Sequence, residues 1–220
     1  MVKYQFGGDS ELSNAPMSMS LLAKLQRDIL TGKYQPGQKL NEQTLCREYG
    51  ASRTPIREAL RQLETDGLVE NILNRGCFVI GLSKQDYEDM FDLRKAYEIQ
   101  AVRWGIERIT DDEMDTLEET FEFMEFYTMR GDLDKMLVIN AGFHQVIYEA
   151  SHNRMLQKTL TSYQTFLKYQ GLNSVYGPNY LQTVLEEHRA IFKAFTDKDV
   201  RAGEEAMERH INRSKERRCG

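Results

Sequence analysis

Cysteine is scarce: the 220 residues hold three, Cys46, Cys77 and Cys219, with no close pair among them. That spacing offers neither a disulfide framework nor a thiolate metal cage, and it predicts a reducing, cytosolic compartment. Long apolar runs are missing. No stretch nears the roughly 18 apolar residues that span a bilayer, so no membrane partner is expected. Met1 to Met19 lacks a basic patch followed by an apolar run, so no signal peptide is expected either. Positive charge is not in surplus: 29 Lys and Arg stand against 34 Asp and Glu, a net charge of −5. On that number alone a nucleic-acid partner looks unfavoured, because duplex binders usually carry net positive charge. Internal repeats and low-complexity tracts are absent. So are a His-Glu-x-x-His pattern and a nucleophile elbow, which leaves the reading "not an enzyme".

What is present is an ordinary globular composition, 40% hydrophobic and 29% charged, long enough for one large domain or two modest ones. The acidity is unevenly spread. Residues 1–82 carry 10 basic and 9 acidic side chains, and residues 83–220 carry 19 and 25. Texture changes at the same place, which puts a boundary near Gly81–Ser83. Residues 1–18, rich in Gly, Ser and Asn, are expected to form a flexible N-terminal arm.

Residues 19–82 read as short elements. A helical stripe runs from Ser20 to Leu30, with a turn at Tyr34-Gln35-Pro36-Gly37. Asn41 is placed to cap a second helix, with Leu40 and Leu45 as a hydrophobic staple across it. That helix should end at Gly50. Thr54-Pro55 predicts a third helix capped by Thr54, carrying Ile56, Ala59, Leu60 and Leu63 on one face. Leu68–Ile72 and Cys77–Ile80 are β-prone runs joined by the hairpin signal Asn74-Arg75-Gly76. This order is that of a winged helix-turn-helix. Residues 83–220 predict an all-helical bundle of six to seven helices, opened by the cap Ser83 and then by the capping box Thr110-Asp111-Asp112-Glu113 and the cap Asp132. The fold class is therefore mainly α.

The third helix carries the first chemistry. Arg53 and Arg57 lie four apart and share a face near its N-terminus, where recognition helices meet base edges. Arginine reads guanine bidentately. Ser52, Thr54 and the free N–H groups of the first turn suit phosphate contact. Arg75 at the hairpin tip suits the minor groove. A surface helix with solvated arginines and an ordinary turn residue would look the same in isolation. Arg47, Arg53, Arg57 and Arg61 against Glu48 and Glu58 still give residues 47–61 a local balance of +2. The stretch Gly50-Ala51-Ser52-Arg53-Thr54-Pro55-Ile56-Arg57-Glu58-Ala59-Leu60, followed by Leu63, Asp66-Gly67-Leu68-Val69, Asn74-Arg75-Gly76 and Val79, resembles the DNA-binding domain of the GntR family of bacterial transcription regulators. The resemblance implies that Arg53 and Arg57 contact bases or phosphates and that Arg75 is the wing contact. Gln43 stands where many members of the family place a DNA-contacting arginine.

The helical part carries the second. Of four histidines, His144, His188 and His210 lie on three different helices among apolar neighbours, and Asn140 precedes His144 by one turn. Three imidazoles and an amide oxygen could converge on one divalent ion, or each histidine could be satisfied separately. His152 reads as an ordinary loop residue. Residues 83 to 215 resemble the FCD ligand-binding domain of the FadR-type subgroup, on Asn140-Ala141-Gly142-Phe143-His144, Glu187-His188 and Glu208-Arg209-His210. That resemblance implies a divalent metal, zinc, nickel or similar, on Asn140, His144, His188 and His210, completed by a small organic acid. Asn140 stands where many members have Asp, which removes one negative charge. Arg94 matches an arginine near the effector pocket, where it would pair with a carboxylate; a surface salt bridge with Glu98 is the alternative. Tyr163, Tyr169 and Asn212 are further candidate pocket residues. The function expected is a homodimeric regulator on double-stranded DNA with a near-palindromic operator, controlled by an organic acid. A regulator answering to the ion itself and a three-histidine metalloenzyme are the alternatives.

Overall fold

The computed structural model describes residues 20–170, 177 and 179–219, and the side chains of these except at 169, 170 and 219. The expected arm at 1–18 and the Tyr169 side chain lie outside this range. The chain divides between Leu82 and Ser83 into two compact units.

The first unit runs α1 (Leu21–Leu30), β1 (Lys39–Leu40), α2 (Glu42–Tyr49), α3 (Arg53–Thr65), β2 (Val69–Ile72) and β3 (Gly76–Val79). Asn41 caps α2 by accepting from the Thr44 N–H at 3.2 Å, and Leu40 and Leu45 are both buried beside it. Gly50 takes the left-handed conformation, φ 62°, that ends α2 and turns the chain into α3. α3 begins two residues before the expected start. Its cap is Ser52, and Arg53, Thr54 and Pro55 form its first turn. Pro55 is tolerated as the third residue because the first four N–H groups of a helix have no internal partner to lose. Ile56, Ala59, Leu60 and Leu63 are buried together with Leu25, Ile29 and Leu45. β2 and β3 form the expected antiparallel hairpin, with Asn74 at φ 61° in its turn and Gly76 at φ 102° where β3 begins. β1, which the sequence did not reveal, pairs with β3, Lys39 opposite Phe78 and Leu40 opposite Cys77, giving the sheet order β1-β3-β2.

A polar cluster fastens α1 to the end of α2. The buried Asp28 carboxylate accepts from Lys33 Nζ and Tyr49 Oη, each at 2.7 Å, and from Arg27. Burial pushes the Asp28 carboxyl up, but these three donors outweigh it and hold it below the usual carboxylate range. The base of α2, and with it the turn into α3, is thereby anchored.

Among the described residues the second unit holds six helices: α4 (Lys84–Arg108), α5 (Asp111–Met129), α6 (Leu133–Ala150), α7 (Arg154–Gln170), α8 (Tyr180–Thr196) and α9 (Val200–Cys219). Reciprocal capping boxes open α4, from Ser83 and Asp86, and α5, from Thr110 and Glu113; Asp132 caps α6. The core joins Phe91, Val102, Leu117, Phe143, Ile147, Ile191, Phe195 and Met207. Phe121 and Met124 belong to it as well, whereas Phe126 is exposed. Glycine allows α9 to lie close against α4. A Cβ at Gly203 would stand 2.6 Å from Ile106 Cδ1 and 2.8 Å from Val102 Cγ1. No described helix is long and apolar enough to cross a membrane.

Candidate functional site

α3 turns one face inward and the other to solvent. Ile56, Ala59, Leu60 and Leu63 are buried, while Arg53, Thr54, Arg57 and Arg61 are exposed. The Ser52 hydroxyl makes no capping bond, so it and the first-turn N–H groups face outward unspent. Gln43 from α2 joins Lys39, Arg53, Arg57 and Arg61 around one concave surface of this unit. Arg75 sits exposed at the hairpin tip, its guanidinium 5.7 Å from the centre of the Phe78 ring. Two acidic residues that sequence reasoning passed over organise this face. Arg57 Nε donates to both carboxylate oxygens of Glu42, at 2.8 and 2.9 Å. Glu64 accepts from the Asn71 N–H at 3.0 Å and its side-chain amide at 2.8 Å, tying α3 to β2.

In the second unit α6, α8 and α9 bring His144, His188 and His210 together, their ligand atoms all within 4.8 Å of one another and all three rings buried. The Nδ1 atom of each ring is engaged. His144 Nδ1 lies 3.1 Å from Glu98 Oε2, His188 Nδ1 2.7 Å from the Val184 carbonyl, and His210 Nδ1 2.8 Å from Glu187 Oε2. Each of these partners accepts, so each Nδ1 carries a hydrogen, and in the neutral form of a ring so held Nε2 presents a lone pair. His144 Nε2 and His188 Nε2 stand 3.3 Å apart. At that distance the two nitrogens can share one cation, a proton or a metal ion. Burial, with His210 and His144 close by, pushes His188 well below the ordinary imidazole range. Burial also pushes His210 down, to about 4, against the opposing pull of Glu187. Neutral imidazoles are the form that binds metal. One turn before His144, the buried Asn140 Oδ1 has no hydrogen-bond partner. Three imidazole nitrogens within 4.8 Å of one another fit a divalent ion of the zinc or nickel type.

Around the histidines lies a hydrogen-bonded shell of the kind that fixes ring orientation at metal sites. Glu98, fully buried, accepts from His144, from Tyr148 Oη and from Arg94 Nε at 2.8 Å. Burial pushes the Glu98 carboxyl up, but His144 and Arg94 beside it and the Tyr148 hydroxyl hold it well below the ordinary range. Glu187 is pushed up by burial but brought down to about 2, first by Arg217 and then by His210. Arg94 thus pairs with Glu98 at the four-residue spacing, yet the pair is buried and reaches His144 instead of lying on the surface. Tyr163 stacks on Tyr97 at 6.2 Å between ring centres. Asn212 is exposed and accepts from Lys95 Nζ at 3.2 Å. His152 lies outside the cluster, on Glu113. Sequence reasoning missed the roles of Glu98, Tyr148, Glu187 and Arg217; the Arg94–Glu98 spacing and the Glu187-His188 pair were the available signals.

Comparison with known proteins bears on both units. Residues 18–79 match the model described as bacterial regulatory proteins, gntR family, and residues 89–213 match the FCD domain. The chain is 30% identical to the HTH-type transcriptional regulator YdhC of Bacillus subtilis, over 90% of this chain and 88% of that one. It is 27% identical to the galactonate operon transcriptional repressor of Escherichia coli, over 84% and 90%. Among solved structures, Escherichia coli McbR/YncC shares the fold, with a TM-score of 0.67 at 21% identity, covering 90% of this chain and 96% of that one. The chain belongs to the GntR family of DNA-binding bacterial transcription regulators and joins the family's winged helix-turn-helix to an FCD domain.

Proposed function

We propose that this regulator reads a near-palindromic operator as a homodimer, and that a small organic acid at a histidine-held divalent ion controls its operator affinity. The convergence of ring nitrogens from the buried His144, His188 and His210 within 4.8 Å of one another carries the ligand half of this reading. A bound ion would supply a fixed positive charge that a carboxylate can complete. The chain's own residues do the rest. Glu98 and Glu187 hold the His144 and His210 rings by their Nδ1 atoms, and the Val184 carbonyl holds His188. Asn140 offers a neutral oxygen. Arg94, joined to His144 through Glu98, places a second positive group beside the site. The galactonate operon repressor, a relative named for the operon of a carboxylate, supports an acid as the effector class.

On the DNA side, Arg53 and Arg57 take bases or phosphates in the major groove, and Ser52, Thr54 and Gln43 steady the backbone. Arg75 takes the minor groove. Dimerisation places two copies of α3 in successive major grooves. The effector acts through its differential affinity for the two arrangements of the dimer, free and DNA-bound.

One observation favours a second reading, in which the ion alone is the effector. Nε and one terminal nitrogen of Arg94 are already engaged by Glu98. A gel shift on a fragment of the regulator's own promoter separates the two. The acid reading predicts that metal-stripped and metal-loaded protein both retain DNA, and that one acid from a panel of hydroxy- and dicarboxylic acids shifts only the loaded form. Release by metal alone supports the second reading, and no retention of the fragment at any salt contradicts both.

A further inference from the structure

The exposed pair between Glu42 and Arg57 is unusual in where it sits and in which nitrogen it uses. Glu42 is the first residue of α2 and Arg57 lies on the outward face of α3, so the contact bridges the two helices of the helix-turn-helix. Both carboxylate oxygens take the same Nε, at 2.8 and 2.9 Å. Neither bond uses the two terminal amino groups, which are the groups an arginine offers end-on to guanine O6 and N7. The pair is also open to solvent, with the Arg57 side chain 57% exposed and that of Glu42 37% exposed. Solvent-open pairs contribute little to stability. Moreover, a carboxylate on this concave surface repels phosphate, so it works against general DNA affinity. A carboxylate suits the first turn of α2, but that role does not require Glu42 to hold Arg57.

We infer that Glu42 is a specificity-determining positioning residue: it grips Arg57 by Nε and presents its terminal amino groups, pre-oriented, to the operator base. This inference rests on the assignment of Arg57 to base reading. A free arginine loses side-chain freedom when it orders on a base, whereas one already held in place loses less. The carboxylate also discourages Arg57 from collapsing onto a phosphate. Glu42 therefore trades general affinity for discrimination.

The test uses the full chain and fluorescence anisotropy at one fixed salt. The probes are an operator duplex selected from random sequence by the wild-type protein and a scrambled duplex of the same composition. The readout is the ratio of the two dissociation constants. Glu42→Ala lowers that ratio about ten-fold, within the range one bidentate base contact provides. Its affinity for the scrambled duplex is equal or higher, and its melting temperature is close to wild type. Arg57→Ala collapses the ratio, and adding Glu42→Ala to it changes the ratio no further. A ratio unchanged in Glu42→Ala while Arg57→Ala collapses it overturns the inference, as does an equal loss when Arg57 is already absent. A ratio unchanged in Arg57→Ala overturns the base-reading assignment itself.

Discussion

At the scale of single residues, the chemistry is set by which atom of a side chain is left over. Each histidine of the cluster spends its Nδ1 on an acceptor, so what each ring has left to offer, in a buried space, is its Nε2. The residue types were legible in the sequence, because three histidines among apolar neighbours on separate helices is an uncommon pattern. The acceptors were not. Glu98 reads as half of an ordinary surface pair until the fold buries it against His144 and Tyr148, and a linear spacing carries no information about burial. Removing one nitrogen should be decisive. His188→Ala is expected to lower zinc affinity by well over ten-fold, since even outer-shell changes at such sites cost roughly ten- to a hundred-fold. Elemental analysis after equilibrium dialysis against zinc measures this, with circular dichroism as the control for folding. Metal content equal to wild type would make the cluster a polar core and nothing more.

At the scale of elements, most of the fold follows from local signals. The caps at Asn41, Ser83, Thr110 and Asp132 and the hairpin at Asn74–Gly76 each fall where side-chain chemistry places them. β1 escaped because two residues paired with a distant strand leave no periodicity to read. The start of α3 shifted because proline is accepted anywhere in a first turn, so Thr54-Pro55 does not fix which residue caps. What positions His210 is equally non-local: the close approach of α9 to α4 at Gly203. Gly203→Val should therefore destabilise the helical unit, by about 1–3 kcal/mol from overpacking, although most residues propagate a helix better than glycine. Urea unfolding followed by circular dichroism checks the sign, and a variant as stable as wild type would show that α9 packs more loosely than described.

At the scale of the whole molecule, net charge was a misleading guide. Residues 83–220 carry a net −6 and residues 1–82 a net +1, so the reading unit is close to neutral, with a local surplus along residues 47–61. A chain built this way depends for DNA binding on a few placed arginines, because its bulk field gives no general attraction to phosphate. The central claim is that occupancy of the helical unit and binding of the operator are linked, and linkage is reciprocal. Isothermal titration calorimetry tests this directly: the stripped chain is titrated with zinc, and the zinc-loaded chain with the acid that moves the gel shift, each with and without saturating operator. The account predicts that operator changes one of these dissociation constants by about five-fold or more, and by the same factor that the ligand changes operator affinity. Identical dissociation constants with and without operator, for both metal and acid, would contradict it.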